Sequence, residues 1–231
     1  MSLLDAVVAA GPIPAVSGPQ STKKRYSELL SRHLAVELAA GLRTAGFANV
    51  KPARGGPGEK AFQGGLGPKK VDVSYADERH GLLLAVSIKT IPSAPFGKNL
   101  KNRFSDLCTE AITLHMRFPY SVVCALFAFP ATANEDLTPG RTLSTFGRAT
   151  KLLATISGRE EYTDPGEKFE NVTMMLFQPV TADGAPLSLR LLDSVTQREM
   201  TEQDYCLMLR EIYNQRNPHA VLGEEDMDEG G

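Results

Sequence analysis

The stretch PKKVDVSYADERHGLLLAVSIKT, residues 68–90, holds two strand signals in close succession. Val71 to Ala76 alternates apolar and polar side chains, the pattern of a strand with one buried face. Leu82 to Lys89 is a near-continuous apolar run that turns polar at its end, as expected of a strand buried on both faces until it leaves the core. Asp77 to Gly81 separates the two, short enough for a hairpin. With the hairpin centre at Arg79, Asp72 lies across from Val86; with the centre half a residue later, it lies across from Ser87. Ser87 and Lys89 share a strand face, roughly 6–7 Å apart. A carboxylate and an ammonium are therefore expected to meet where the buried strand emerges. The plainer reading of Asp72 and Lys89 is a cross-strand ion pair worth a few tenths of a kcal/mol.

On the N-terminal side, residues 21–46 read as a long helix. Leu30, Leu34, Leu38 and Leu42 form an apolar stripe and Gly46 is a stop signal. Glu37 and His33 fall inside the apolar sector. A core-facing glutamate is costly unless it is paired or bound to a metal, so Glu37 is the first candidate for a second metal-site carboxylate. Pairing with His33, or escape to solvent at the rim, is the competing reading. Residues 47–54 are expected to form a short strand, and the glycine-rich residues 55–68 a mobile loop. GGLGPKK, residues 64–70, lacks the Gly-Lys-Ser/Thr ending of a phosphate loop, although Lys69 and Lys70 suit phosphate contacts. Residues 1–20, rich in Pro, Gly and Ala, read as an irregular arm.

On the C-terminal side, Pro92 and Pro95 break the chain and residues 98–118 read as a second helix, with Leu100, Phe104, Leu107, Ala111 and Leu114 at steps of three and four. Lys98, Lys101 and Arg103 crowd its first turns, where basic side chains and the helix dipole suit a phosphodiester backbone. Ser121 to Phe129 is apolar on both faces and reads as a central strand. A helix at 141–157, strands at 172–177 and 187–193, and a helix at 201–215 opened by Thr201 and Asp204 complete an α/β chain with a mixed sheet flanked by helices. One domain over residues 21–222 and an acidic flexible tail at 223–231 are expected.

The chain has 231 residues, is 42% hydrophobic and 23% charged, and carries a formal charge of -2, which excludes wholesale disorder and fibrous repeats. Residues 1–70 hold ten Lys/Arg against four Asp/Glu, and residues 119–231 hold nine against eighteen. The basic first part suits an anionic partner such as nucleic acid. Three widely spaced cysteines argue against a disulfide framework or a zinc site. The apolar run at 121–130 is too short to span a bilayer, and residues 1–18, with Asp5 and no basic residue, read as a poor secretory signal; a cytoplasmic protein with no membrane partner is expected.

The order helix with Glu37, short strand, strand with Asp72, strand ending in Lys89, helix, buried strand resembles the αβββαβ core of the PD-(D/E)xK nuclease superfamily, which includes many type II restriction endonucleases. The resemblance covers residues 21–130. It implies a DNA endonuclease of restriction or defence type that uses Mg2+ (or Mn2+) to activate water. Asp72 and Glu37 would bind the metal, Lys89 would orient or polarise the attacking water, and Lys98, Lys101, Arg103, Lys69 and Lys70 would meet DNA. Ser87 stands where the family usually has an acid. Glu37, Glu110 and Asp106 are candidates to replace it, in that order. Residues after 130 match nothing in that pattern and are read as sequence-reading or dimer-forming elements, which puts a homodimer among the expected partners. Two alternatives follow from Ser87: a catalytically weak or inactive nucleic-acid-binding or assembly module on the same fold, or a small hydrolase using Ser87 as nucleophile.

Overall fold

A computed structural model describes residues 2–56, 58–137, 140–181, 184 and 186–222. The tail expected at 223–231 lies outside the described residues. The helices are α1 (Leu3–Ala10), α2 (Gln20–Thr44), α3 (Phe96–His115), α4 (Thr145–Ala154) and α5 (Glu202–Arg216). The strands are β1 (Lys60–Gly64), β2 (Gly67–Val71), β3 (Val73–Asp77), β4 (Gly81–Thr90), β5 (Val122–Pro130), β6 (Asn171–Phe177), β7 (Leu189–Asp193) and β8 (Glu199–Met200).

Strands β3 to β8 form one six-stranded sheet in sequence order. Strands β4, β5 and β6 run parallel, and the flanking pairs β3/β4, β6/β7 and β7/β8 are antiparallel. Strand β5 is buried along its whole length because it has a layer on each side. Val122, Cys124, Leu126 and Ala128 join a core with α1, α2 and α5, whereas Val123, Ala125, Phe127 and Phe129 join one with α3 and α4. The period of two in a strand sends alternate residues to opposite layers. The α/β class and the mixed sheet flanked by helices are as the sequence reading expects.

Four local readings change. Residues 1–20 are not wholly irregular. Leu3, Ala6, Val7 and Ala10 bury one face of α1, Ser2 caps it by accepting from the Asp5 N–H at 3.0 Å, and Gly11 ends it at φ 78°. The glycines and prolines that follow mask this short helix in the sequence. The strand expected at 47–54 reduces to a bridge in which Lys51 and Ser74 exchange backbone hydrogen bonds of 2.8 and 3.0 Å. The loop expected at 55–68 contains β1 and the start of β2, a separate antiparallel hairpin flap. Its tip lies hard against α3: the Gly65 N–H donates to the Thr113 carbonyl at 2.8 Å, and a Cβ on Gly64 would stand 2.7 Å from that same oxygen. Only glycine permits this approach. The single strand expected at 71–76 is broken at Asp72, where β2 leaves the flap and β3 enters the sheet.

The hairpin register contains both expected alignments. Near the turn Asp77 pairs with Gly81 and Ala76 with Leu82; a bulge between Tyr75 and Ala76 then shifts the pairing so that Val73 faces Val86. Continued by one residue, this alignment sets Asp72 across from Ser87.

Candidate functional site

A cleft of about 950 Å³ opens where β4 ends, between the N-terminal half of α2, the loop around 52–59, β2 and α3. This is the carboxyl edge of the parallel strands, where open α/β sheets place their ligands. Arg32, Arg54, Lys70, Lys89 and Arg103 line it together with Glu28, Glu59, Asp72 and His33, so basic side chains outnumber acidic ones on its walls.

Three elements bring the central groups together. Asp72 sits at the β2/β3 break, and its Oδ2 accepts the Ile88 N–H at 2.7 Å. Lys89, the penultimate residue of β4, donates to Glu110 Oε2 on α3 at 2.8 Å. Ser87 donates its hydroxyl to the other oxygen of the same carboxylate. Lys69 of the flap reaches Glu110 Oε2 at 3.0 Å. Glu110 is 1% exposed, so a buried carboxylate sits under two ammonium groups and a hydroxyl.

The electrostatics follow from burial and neighbours. Burial pushes the Asp72 carboxyl up to about 6, against the pull of Lys89 and the Ile88 N–H, and the charges of Glu110 and Glu59 push the same way as burial. Burial works against the charged form of Glu110 too, but Lys89, Lys69 and the Ser87 hydroxyl hold it below the usual carboxylate range. Lys89 is desolvated, which lowers its affinity for a proton, yet Glu110 and Asp72 outweigh this and raise it. The ammonium therefore stays charged at neutral pH, whereas burial makes Asp72 a weaker acid than usual.

Two of the three residues expected to carry chemistry, Asp72 and Lys89, stand together. Glu37 does not join them. It faces inward on α2 as its position in the apolar sector requires, but Arg54 donates to one oxygen and the Ser2 N–H to the other at 3.3 Å. It is not among the residues lining the cleft. The sequence reading offered His33 or solvent as its partners; a loop arginine and the chain's N-terminal segment satisfy it instead. Asp106 is exposed and pairs with Arg103 at 3.0 Å. Glu110, the second choice, is the acid that Ser87 and Lys89 contact, and it too lies outside the residues that line the cleft, buried behind them. The signal for it was present: Glu110 lies three residues after Leu107 and four before Leu114, on the buried stripe of α3.

The expected phosphate contacts divide. Lys70 and Arg103 line the cleft. Lys69 sits on the opposite face of β2 from Lys70 and is engaged by Glu110. Lys98 and Lys101 are exposed on α3 and line neither this cleft nor the adjoining one beside Asn99 and Asn102, because the turn of the helix carries them away. Arg32, Arg54, Glu59 and His33 join the walls from segments that the strand pattern does not connect. Ser87 is fully buried, so it meets no ester substrate.

Among the described residues no group of three or more His, Cys, Asp and Glu side chains is placed to hold a metal ion. The carboxylates at and beneath the cleft are Asp72, which lines it, and Glu110, which lies buried behind Lys89 and Lys69. That set fits a hard divalent cation that keeps several waters, such as Mg2+, better than a metal needing an all-protein cage. No described helix is long and apolar enough to cross a membrane.

Comparison with models of known protein families, with curated proteins and with solved structures found no match to this chain.

Proposed function

We propose that this chain is a Mg2+- or Mn2+-dependent DNA endonuclease built on a restriction endonuclease-like core. The observation that carries the reading is the convergence of Asp72, Lys89 and Glu110 at one edge of the sheet, with Ser87 hydrogen-bonded to Glu110. Ser87 occupies the strand position where such nucleases usually have an acid, and a carboxylate from α3 reaches the same spot. The order α2, β3, β4, α3, β5 keeps part of that core; its first strand, expected at 47–54, is reduced to the Lys51–Ser74 bridge, and the flap is inserted before β3.

Asp72 and Glu110 would hold the cation. When bound, it would polarise the phosphodiester and lower the pKa of a coordinated water. Lys89 keeps its proton and donates hydrogen bonds to the water or to a non-bridging oxygen, countering charge that develops during attack. Lys70, Arg32 and Arg103 offset the charge of the strand laid in the cleft.

The test is incubation of supercoiled plasmid DNA with the protein and Mg2+. Nicked or linear product from the wild type and none from Asp72→Ala or Lys89→Ala supports the reading. Intact plasmid with the wild type, or cutting that survives both substitutions, defeats it.

One observation favours a second reading, a nucleic-acid-binding module that does not cleave: Glu110 is already neutralised by Lys89 and Lys69. That reading requires salt-sensitive DNA binding with no heat on titration of metal into the wild type.

A further inference from the structure

The two flap lysines have opposite surroundings. Lys70 points into the cleft, and Lys69, on the other face of β2, points at Glu110. The carboxylate pair Asp72 and Glu110 is matched in charge by the ammonium pair Lys89 and Lys69, so the four groups are neutral together. A divalent cation added to a half-buried neutral cluster leaves it with two excess positive charges, which a poorly solvated site resists. One resident cation must withdraw. Lys89 is held at the end of a central strand and its side chain is 15% exposed, whereas the Lys69 side chain is 30% exposed and has solvent within reach. The flap itself need not move, because its tip is fixed to α3 through Gly65 and Thr113.

We propose that Lys69 is a resident counter-ion that competes with the metal for Glu110, and that metal loading is coupled to its release from that carboxylate. The proposal rests on the nuclease reading above. It assigns Lys69 to the metal site rather than to the DNA backbone. It also makes Lys69 a positioning residue: it presets the Glu110 carboxylate in the metal-free protein and sets the threshold of metal at which the site fills. A side chain that served only to pack the flap would not alter that threshold.

The experiment is calorimetric titration of Mn2+ alone into the full chain at fixed pH, comparing the wild type with Lys69→Gln, Lys69→Arg and Lys70→Gln. Lys70→Gln removes the same charge from the same strand but from the other face, and so controls for long-range electrostatics. Thermal melting of each variant without metal confirms folding, and Lys69→Arg retains the charge should the neutral variant fail to fold. The expected result is Mn2+ binding tightened on the order of tenfold in Lys69→Gln. Lys69→Arg should bind at wild-type strength or weaker, and Lys70→Gln should change by less than about threefold. Unchanged or weakened binding in Lys69→Gln, with the wild type binding normally, overturns the inference and leaves the nuclease reading standing. Tightening by the same factor in Lys70→Gln also overturns it. If neither the wild type nor Lys69→Gln binds Mn2+, the nuclease reading and this inference fall together. Binding by Lys69→Gln alone means that the wild-type site does not fill, which overturns coupled metal loading and favours the non-cleaving reading.

Discussion

The hydroxyl of Ser87 on β4 donates to Oε1 of Glu110 on α3, 23 positions along the chain. In the proposed nuclease reading, this serine on the strand and this glutamate on the following helix would together take the place of one acid. The serine is fully buried and has no access to a substrate, so its role at the site is to fix the carboxylate.

The two glutamates that face inward are therefore expected to behave differently. Glu110→Gln should lower Mg2+-dependent plasmid cleavage by at least about a hundredfold, the scale of losing one charge-stabilising group. Glu37→Gln should leave it within a few-fold, because Glu37 serves Arg54 and the Ser2 N–H. Initial rates of nicking read on a gel decide this, and equal losses in both variants would remove Glu110 from its assigned place.

The pH dependence of stability without metal has a definite sign at Asp72. Its folded-state pKa is raised from 3.8 to about 6, so the folded chain binds this proton more tightly than the unfolded one. Its contribution to stability therefore increases as pH falls from about 7 through 6 towards 4, and is lost as pH rises through 6. Asp72→Asn removes the penalty, and at pH 8 should be more stable than the wild type by about 3 kcal/mol, with the difference shrinking as pH falls through 6. Urea unfolding of both proteins at several pH values is the measurement; a difference independent of pH contradicts it.

Glu170 forms a second buried ionic cluster that is structural. It accepts the Val123 N–H at 2.7 Å and pairs with Arg159 at 2.8 Å and Arg216 at 3.3 Å. It lies at the start of β6 against the start of β5, and Lys89 is near the end of the parallel strand β4, so the two clusters occupy opposite edges of the sheet. Glu170→Ala leaves buried guanidinium groups uncompensated and should cost about 3–5 kcal/mol in denaturant unfolding. Where the variant is folded, its Mn2+ affinity should match that of the wild type.

The cleft rather than the helix charge run is expected to hold DNA. Lys70→Ala and Arg103→Ala should each reduce the slope of log K against log salt for duplex DNA by about one. Lys98→Ala and Lys101→Ala should leave it nearly unchanged, since neither lines the cleft. Fluorescence anisotropy over a salt series separates the two pairs.

Local patterning was enough for the sheet strands β4, β5, β6 and β7 and the helices α2, α3 and α5, because a strand buried on both faces and a helix with one apolar stripe each leave a period in the sequence. It also brought Asp72 to Lys89, because a hairpin relates its two arms by their distance from the turn. Only the tertiary structure decided which acid joins them. Glu37 and Glu110 both lie on buried helix faces, and each is satisfied by partners remote in sequence: Arg54 and Ser2 for one, Ser87, Lys89 and Lys69 for the other. Periodicity says that a side chain turns inward. Which charges await it there depends on how the flap, α1 and α3 pack around the sheet, and long-range pairing of that kind leaves no repeat along the chain.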